Sequence, residues 1–238
     1  MLTIVPTPIG NLEDITLRAL EALRSADVIA AEDTRHSGIL LKHFEISKPF
    51  ISYHEHNEAS RTAELTMRMA EGLKVALITD AGMPGISDPG QRLIRACIEK
   101  NLPFTVLPGP CAAITGIVGS GLAGDSFYYG GFLPVKSGRR LAELTRAVER
   151  EQASVYYESP YRLVKSLAVL EEIAPKRTVC VARELSKKFE EYRRGEAETL
   201  RAHYEAHPPK GEICLIIGEV NPKKKMKDDR EEESLPEL

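Results

Sequence analysis

Short apolar runs, each closed by a polar or Gly/Pro-rich loop and followed by a helical apolar pattern, recur through the first half of the chain. Residues 2–5, 28–31, 50–53, 75–78 and 103–107 read as strands. They are too short for helices, and their apolar positions are near-continuous rather than alternating, as in strands buried on both faces. Between them the apolar residues fall at helix spacing. Leu17, Leu20, Ala22 and Leu23 follow a cap at Asp14 or Thr16, and a short helix covers 39–44. A longer one runs from Asn57 or Ser60 to Glu71, and Leu93, Ile94, Cys97 and Ile98 mark another. A fifth spans 112–118. Strands alternating with helices predict an α/β fold around a parallel, doubly wound sheet.

Glycine and serine cluster at 119–125, which predicts a first domain at 1–120 and a second at 121–221. In the second, strands are expected at 127–132, 154–157, 178–182 and 212–217, with 192–195 as a hairpin partner. Helices are expected at 137–150 and 161–173, which gives a mixed sheet with helices. Residues 222–238 are dense in charge and poor in apolar side chains, the composition of a disordered tail.

Composition narrows the function classes. No apolar run approaches the length of a membrane span, and no basic, apolar leader opens the chain. The four cysteines stand singly with no C-x-x-C, so neither a metal site nor a redox pair is expected, and a cytoplasmic protein with reduced thiols is. With a net charge of −3, any nucleic-acid surface must be a local patch. Two are present in sequence: Lys136, Arg139, Arg140, Arg146 and Arg150, and then Arg183, Lys187, Lys188, Arg193 and Arg194.

The chemistry is expected in loops. Those at 7–11, 32–36, 79–90 and 108–112 all follow strands, so a parallel sheet gathers them at its carboxyl edge, where open α/β folds bind ligands. The third is rich in glycine and proline, which allow close backbone approach and hold a loop rigid. No dinucleotide fingerprint, Walker pattern or nucleophile elbow occurs. Glu32-Asp33-Thr34-Arg35 offers carboxylates as base or anchor beside a phosphate-binding guanidinium; a helix cap with a local ion pair is the plainer alternative. His54 and His56 alternate like a metal pair but lack a third ligand, so solvated histidines are expected. Tyr157-Glu158-Ser159-Pro160 either lines a cleft or caps a helix, and 183–188 either binds an anion or is charged surface.

Read in order, TPIGNLEDITLRAL, AAEDTRHS, ISYHEHNE, TDAGMPGISDPG, LPGPCAAITG, GFLP, YESPYRL, ARELSKKFEE and PKGE closely resemble the ribosomal RNA small subunit methyltransferase I family of the tetrapyrrole methylase class. The resemblance implies two α/β domains with S-adenosylmethionine in a cleft between them, and a homodimer; composition adds the expectation of no metal and no membrane association. It implies 2′-O-methylation of a cytidine in the decoding region of small-subunit rRNA. The implied cofactor contacts are Pro8, Ile9, Gly10, Asp80, Ala81, Gly82, Met83, Ile86, Cys111, Ala112, Tyr157 and Glu212. Met83 and Cys111 stand where the family has small hydroxyl residues, and Tyr161 where histidine is common. A ribose hydroxyl is a weak acid, so a base is needed. Asp33, Glu158 and Glu184 are the candidates, with Arg35, Arg183 and Lys187 as phosphate or oxyanion partners. The rivals are a porphyrinoid (precorrin-type) methyltransferase, whose first loop is glycine-rich and followed by Asp, and a non-catalytic ribosome-binding module of the same fold.

Overall fold

The apolar runs of the first half form one sheet. In the computed structural model, which describes residues 1–220, they are β1 (Leu2–Ile4), β2 (Val28–Ala31), β3 (Phe50–Ser52), β4 (Val75–Ile78) and β5 (Phe104–Val106). All pair in parallel, in the order β3-β2-β4-β1-β5. The intervening helices are α1 (Leu17–Ser25), α2 (Thr34–His43), α3 (Glu58–Ala70) and α4 (Gln91–Glu99). Alternate strand residues serve opposite faces, as the two-residue repeat requires. Ile29, Ala31, Ala76 and Ile78 pack with Leu20 and Leu23 of α1 and Leu41 of α2. Leu2, Ile4, Val28, Ala30, Val75 and Leu77 pack with Leu65 and Met69 of α3 and Leu93 and Cys97 of α4. The helices leaving neighbouring β1 and β4 therefore lie on opposite faces, which makes the carboxyl ends of those strands the switch point of the sheet.

The chain divides into two compact units, Met1–Ala112 and one that begins at Ala113. The division thus falls at the first residue of α5 (Ala112–Ser120), whereas the glycine cluster placed it after that helix. The reason is packing: a Cβ on Gly116 would lie 3.1 Å from Cys214, and the Tyr192 hydroxyl donates to the Thr115 carbonyl at 3.3 Å. The expected tail at 222–238 lies outside the described residues.

The second unit holds β6 (Phe127–Phe132), β7 (Ala153–Glu158), β8 (Thr178–Arg183), β9 (Glu191–Glu196) and β10 (Ile213–Ile217), ordered β6-β7-β10-β8-β9. The β6–β7 pair is parallel and the others are antiparallel. Helices α6 (Ser137–Glu149), α7 (Leu163–Ile173) and α8 (Ala197–Ala206) cover one face. There Leu144, Leu167, Leu170, Leu200 and Tyr204 pack on Tyr156, Val179, Val181, Leu215 and Ile217. Helix α8 was not expected from the sequence, although its buried Ala197, Leu200 and Tyr204 keep helical spacing. Helix α2 begins at Thr34 rather than Ile39, because Asp33 caps it by accepting from the Arg35 N–H.

Candidate functional site

In the first unit every loop after a strand leaves from one edge, and these loops are tied together by backbone. Thr7 and Gly82 exchange two hydrogen bonds of 2.9 Å across the switch point, and the Thr7 hydroxyl donates to the Thr79 carbonyl at 3.0 Å. Gly109, after β5, lies so close to Pro6 that an added Cβ would come within 2.8 Å of it. Gly82 has φ +77°, and a Cβ there would sit 3.4 Å from Ile9. The glycine is therefore required for its left-handed backbone more than for space. The far end of the loop is held too: the Gly90 N–H donates to the Glu58 carboxylate at 2.9 Å, and the Gln91 amide donates to the Gly85 carbonyl at 3.1 Å.

Of the implied cofactor contacts in this unit, Pro8, Ile9 and Gly82 are buried, whereas Gly10, Asp80 and Ile86 are exposed. Ala81, Met83, Cys111 and Ala112 are intermediate. The edge thus offers backbone groups, small side chains and apolar surface. The Thr79 hydroxyl oxygen is buried and has no hydrogen-bond partner among the described residues. An unpartnered buried hydroxyl at the carboxyl end of β4 is a group that a polar ligand satisfies. This donor and acceptor set fits S-adenosylmethionine, whose adenine, ribose and amino-acid groups are recognised by backbone atoms and a few fixed polar side chains.

The carboxylates at this edge are not equivalent. Asp33 accepts from the Arg35 N–H at 2.8 Å and from its guanidinium at 3.2 and 3.0 Å. Those bonds hold its carboxyl down at about 2, and the Arg35 side chain is otherwise exposed. Glu32 behaves in the opposite way. Burial and the neighbouring Asp80 charge push its carboxyl up, against a hydrogen bond from the Asp80 backbone. The Asp80 carboxylate in turn accepts from the Asp33 N–H at 3.2 Å, which joins the loops after β2 and β4. Sequence reasoning placed Asp33 ahead of Glu32. A carboxyl near 2 is a poor proton acceptor and a good helix cap, so the plainer reading of Asp33–Arg35 holds. His54 pairs with the Asn57 amide at 3.2 Å and lies 5.8 Å from His56, ring to ring.

The second unit also gathers its candidates at one edge. β6 and β7 end there, β10 begins there, and β8 turns there into β9, so Tyr157, Glu158, Arg183, Glu184, Lys187 and Glu212 share one side of the sheet. Glu158 does not stand as a free base. Its side chain is 0% exposed and accepts from the Ser159 N–H at 2.7 Å, Arg162 at 2.8 Å and the Ser166 hydroxyl at 2.5 Å. It anchors the entry to α7. Lys187 bridges Glu184 at 3.0 Å and Glu212 at 2.8 Å, and Glu184 also accepts from the Glu212 N–H at 3.0 Å. Arg183 donates to Glu191 at 3.3 Å and to the Lys210 carbonyl at 3.2 Å.

The two basic patches change character once folded. Arg140 is 6% exposed and donates to the carbonyls of Pro134 and Val135, so it fastens the turn before α6 and presents no charge to a ligand. Arg146 and Arg150 pair with Glu143. Arg193 pairs with Glu191, and Arg194 donates to the carbonyls of Gly119 and Ser120. Among the described residues Lys136 and Arg139 of the first patch and Lys188 of the second are exposed and have no ion-pair partner.

The family profile described as Tetrapyrrole (Corrin/Porphyrin) Methylases matches residues 1–201. The ribosomal RNA small subunit methyltransferase I of Synechocystis is 46% identical over 223 residues, which cover 93% of this chain and 80% of that protein. Its namesake in Haemophilus influenzae is 44% identical over 232 residues, covering 96% and 82%. A uroporphyrin-III C-methyl transferase from Thermus thermophilus, solved in complex with S-adenyl homocysteine, superposes with a TM-score of 0.65 at 17% identity, covering 91% of this chain and 96% of that one. The last comparison speaks to fold, whereas the first two extend along nearly the whole sequence. The chain belongs to the ribosomal RNA small subunit methyltransferase I family, within the tetrapyrrole methylase fold.

Proposed function

We propose that this chain transfers the methyl group of S-adenosylmethionine to the 2′-hydroxyl of a cytidine in the decoding region of small-subunit rRNA. The observation that carries the reading is the bridged switch point of the first sheet, Thr7 to Gly82 with the buried Thr79 hydroxyl beside it, in a chain 44–46% identical to enzymes named for that RNA. When bound, S-adenosylmethionine supplies an electrophilic methyl group on a positively charged sulfur. The protein's own part is to hold, orient and deprotonate. The Gly82 backbone and the loop it braces take the cofactor's polar groups, and Pro8 and Ile9 give it a rigid floor. Ala81, Met83, Ile86, Cys111 and Ala112 flank the same edge. Positioning carries much of the rate in an in-line displacement, which explains a loop fastened at both ends.

The proton of the acceptor hydroxyl goes to Glu32. A carboxylate raised by burial accepts a proton better than one held low, because general-base efficiency improves as the pKa approaches the working pH. The Glu184–Lys187–Glu212 network and Arg183 fix the second-unit edge on which the RNA strand lies. The working form is a cytoplasmic homodimer, as the family resemblance implies. The porphyrinoid alternative is disfavoured by Pro8-Ile9-Gly10-Asn11 in place of a glycine-rich loop followed by Asp.

Mass spectrometry of small-subunit rRNA from a strain lacking the gene tests the reading. A 2′-O-methylcytidine should disappear and return with the wild-type gene but not with Gly82→Val. Unchanged rRNA in the deletion strain overturns it.

A further inference from the structure

We propose that Phe132, presented by a bulge in β6 against Tyr129 and Tyr157, is the stacking platform for an unstacked nucleobase of the RNA substrate. The inference rests on the rRNA reading above and assigns the surface that receives the acceptor strand.

In a regular strand, residues three apart point to opposite faces, so Tyr129 and Phe132 should not meet the same neighbour. Here both do. The Tyr129 ring lies 5.4 Å from Tyr157 and the Phe132 ring 5.3 Å from it, both in edge-to-face arrangements. The register between β6 and β7 shifts between Tyr129 and Phe132, and Gly131 in the shift has φ +67°. A bulge adds a residue and re-aims a side chain, and it occurs preferentially beside functional sites. The preceding Gly130 lacks a side chain for a definite reason: an added Cβ would lie 2.0 Å from the Tyr156 ring. Tyr156 serves the opposite, helix-covered face. The two glycines thus let the strand press on a core tyrosine while turning Phe132 outward.

The result is an aromatic group braced from behind and open in front. Phe132 is 59% exposed, so the front of its ring is open to a ligand. The chain that follows is fixed: the Leu133 N–H donates to the Tyr157 carbonyl at 3.0 Å, and Arg140 holds the carbonyls of Pro134 and Val135. Beyond it come Lys136 and Arg139, the two exposed cations of the α6 patch left without an ion pair among the described residues. Tyr161, 92% exposed, lies in the turn that follows β7, the parallel neighbour of β6. An aromatic face beside unneutralised cations suits a single RNA strand, in which a base splays out and stacks while the backbone meets Lys or Arg. An apolar protein partner would have no use for the cations.

The test uses the full-length protein with assembled small subunits as substrate. Phe132→Ala should lower kcat/KM by about 10- to 100-fold, the range expected for loss of one stacked base, with S-adenosylmethionine affinity by calorimetry unchanged. Phe132→Trp should restore most of the activity, a rescue that a purely structural role would not give. Lys136→Ala with Arg139→Ala should weaken subunit binding and reduce its salt dependence. Full methylation by Phe132→Ala overturns the platform. So does a loss of self-association in sedimentation with methylation intact, which would make Phe132 a protein contact. Absence of any rRNA methylation by the wild-type enzyme would instead defeat the rRNA reading itself, so the two failures are distinguishable.

Discussion

The two edges of this chain are built from different materials. In the first unit the loops after the strands are joined chiefly through backbone groups: the pair of hydrogen bonds between Thr7 and Gly82, the close approach of Gly109 to Pro6, and the Gly90 N–H donated to the Glu58 carboxylate. In the second unit the edge is held by side-chain charge, with Glu158 saturated by three donors and Lys187 shared by two carboxylates. A backbone-built edge leaves donors and acceptors at fixed positions for a small ligand. A side-chain edge uses most of its charges internally and leaves others, Lys136 and Arg139 near Phe132 in the chain among them, for a larger partner. Perturbations should therefore divide: those at the first edge act on cofactor and chemistry, and those at the second on stability and substrate.

The largest expected effect is on the proton acceptor. Glu32→Gln keeps the size of the side chain but removes the base, and should lower turnover by about 10²–10⁴-fold at neutral pH. Retained turnover in a folded variant would return the base to the other carboxylates. Glu158→Gln should do the converse. It leaves the half-buried Arg162 guanidinium without its counter-charge and should destabilise the fold by about 2–3 kcal/mol, seen as a lower denaturation midpoint, with kcat of the folded fraction preserved. A collapse of kcat with stability intact would make Glu158 catalytic and erase the contrast between the edges. Gly82→Val forces a β-branched residue into left-handed backbone, which costs an L-residue about 1–2 kcal/mol before the loop moves to relieve it. Calorimetry should show S-adenosylmethionine affinity reduced at least about tenfold, on the scale that such strain corresponds to, with Gly82→Ala milder. Unchanged affinity would remove the switch point from the cofactor site.

The first edge was more legible in the sequence than the second, and the reason is physical. Continuous apolar runs such as Val28–Ala31 and Val75–Ile78 cannot face water, so they fix a buried parallel sheet and, with it, which loops converge. Charged residues carry no such constraint. Arg140 on a basic helix reads as a solvent-facing cation, and only the positions of the Pro134 and Val135 carbonyls make it a buried fastener. Glu158 and Glu184 look alike in sequence, yet the first is enclosed and the second shares Lys187. Glu32 and Asp33 are adjacent, yet burial and Asp80, far away in the chain, raise the first, while bonds to Arg35 lower the second. Helix α8 shows three buried positions at helical spacing, but a polar strand before it hid its start. The bulge at Gly130–Gly131 reads as an ordinary strand until its register with β7 is known.

The smallest effect is also the one that separates the edges by sign. Burial and Asp80 raise the Glu32 carboxyl above its ordinary 4.5, so between 4.5 and the folded value the native state holds a proton that the unfolded chain has lost. That contribution to stability is complete below 4.5 and is lost as pH rises through the folded value. For Glu184, burial acts upward, but the hydrogen bonds from the Glu212 backbone and Lys187 outweigh it and hold the carboxyl below 4.5. Its contribution is present above 4.5 and is lost as pH falls through the folded value. The same network raises Lys187 above 10.5, with burial opposing and the bonds to Glu212 and Glu184 prevailing, so a second loss is expected as pH rises through that folded value. At neutral pH Glu32→Gln should therefore raise the thermal midpoint slightly while lowering turnover, and Glu184→Gln should lower the midpoint. Lys187→Met should lower it too, and should flatten the stability profile at both the acid and the alkaline end. Thermal melts of the three variants from pH 3 to 11 read this directly. A destabilised Glu32→Gln at neutral pH would mean that Glu32 is a satisfied structural carboxylate like Glu158, and the difference between a working edge and a fastened one would not hold.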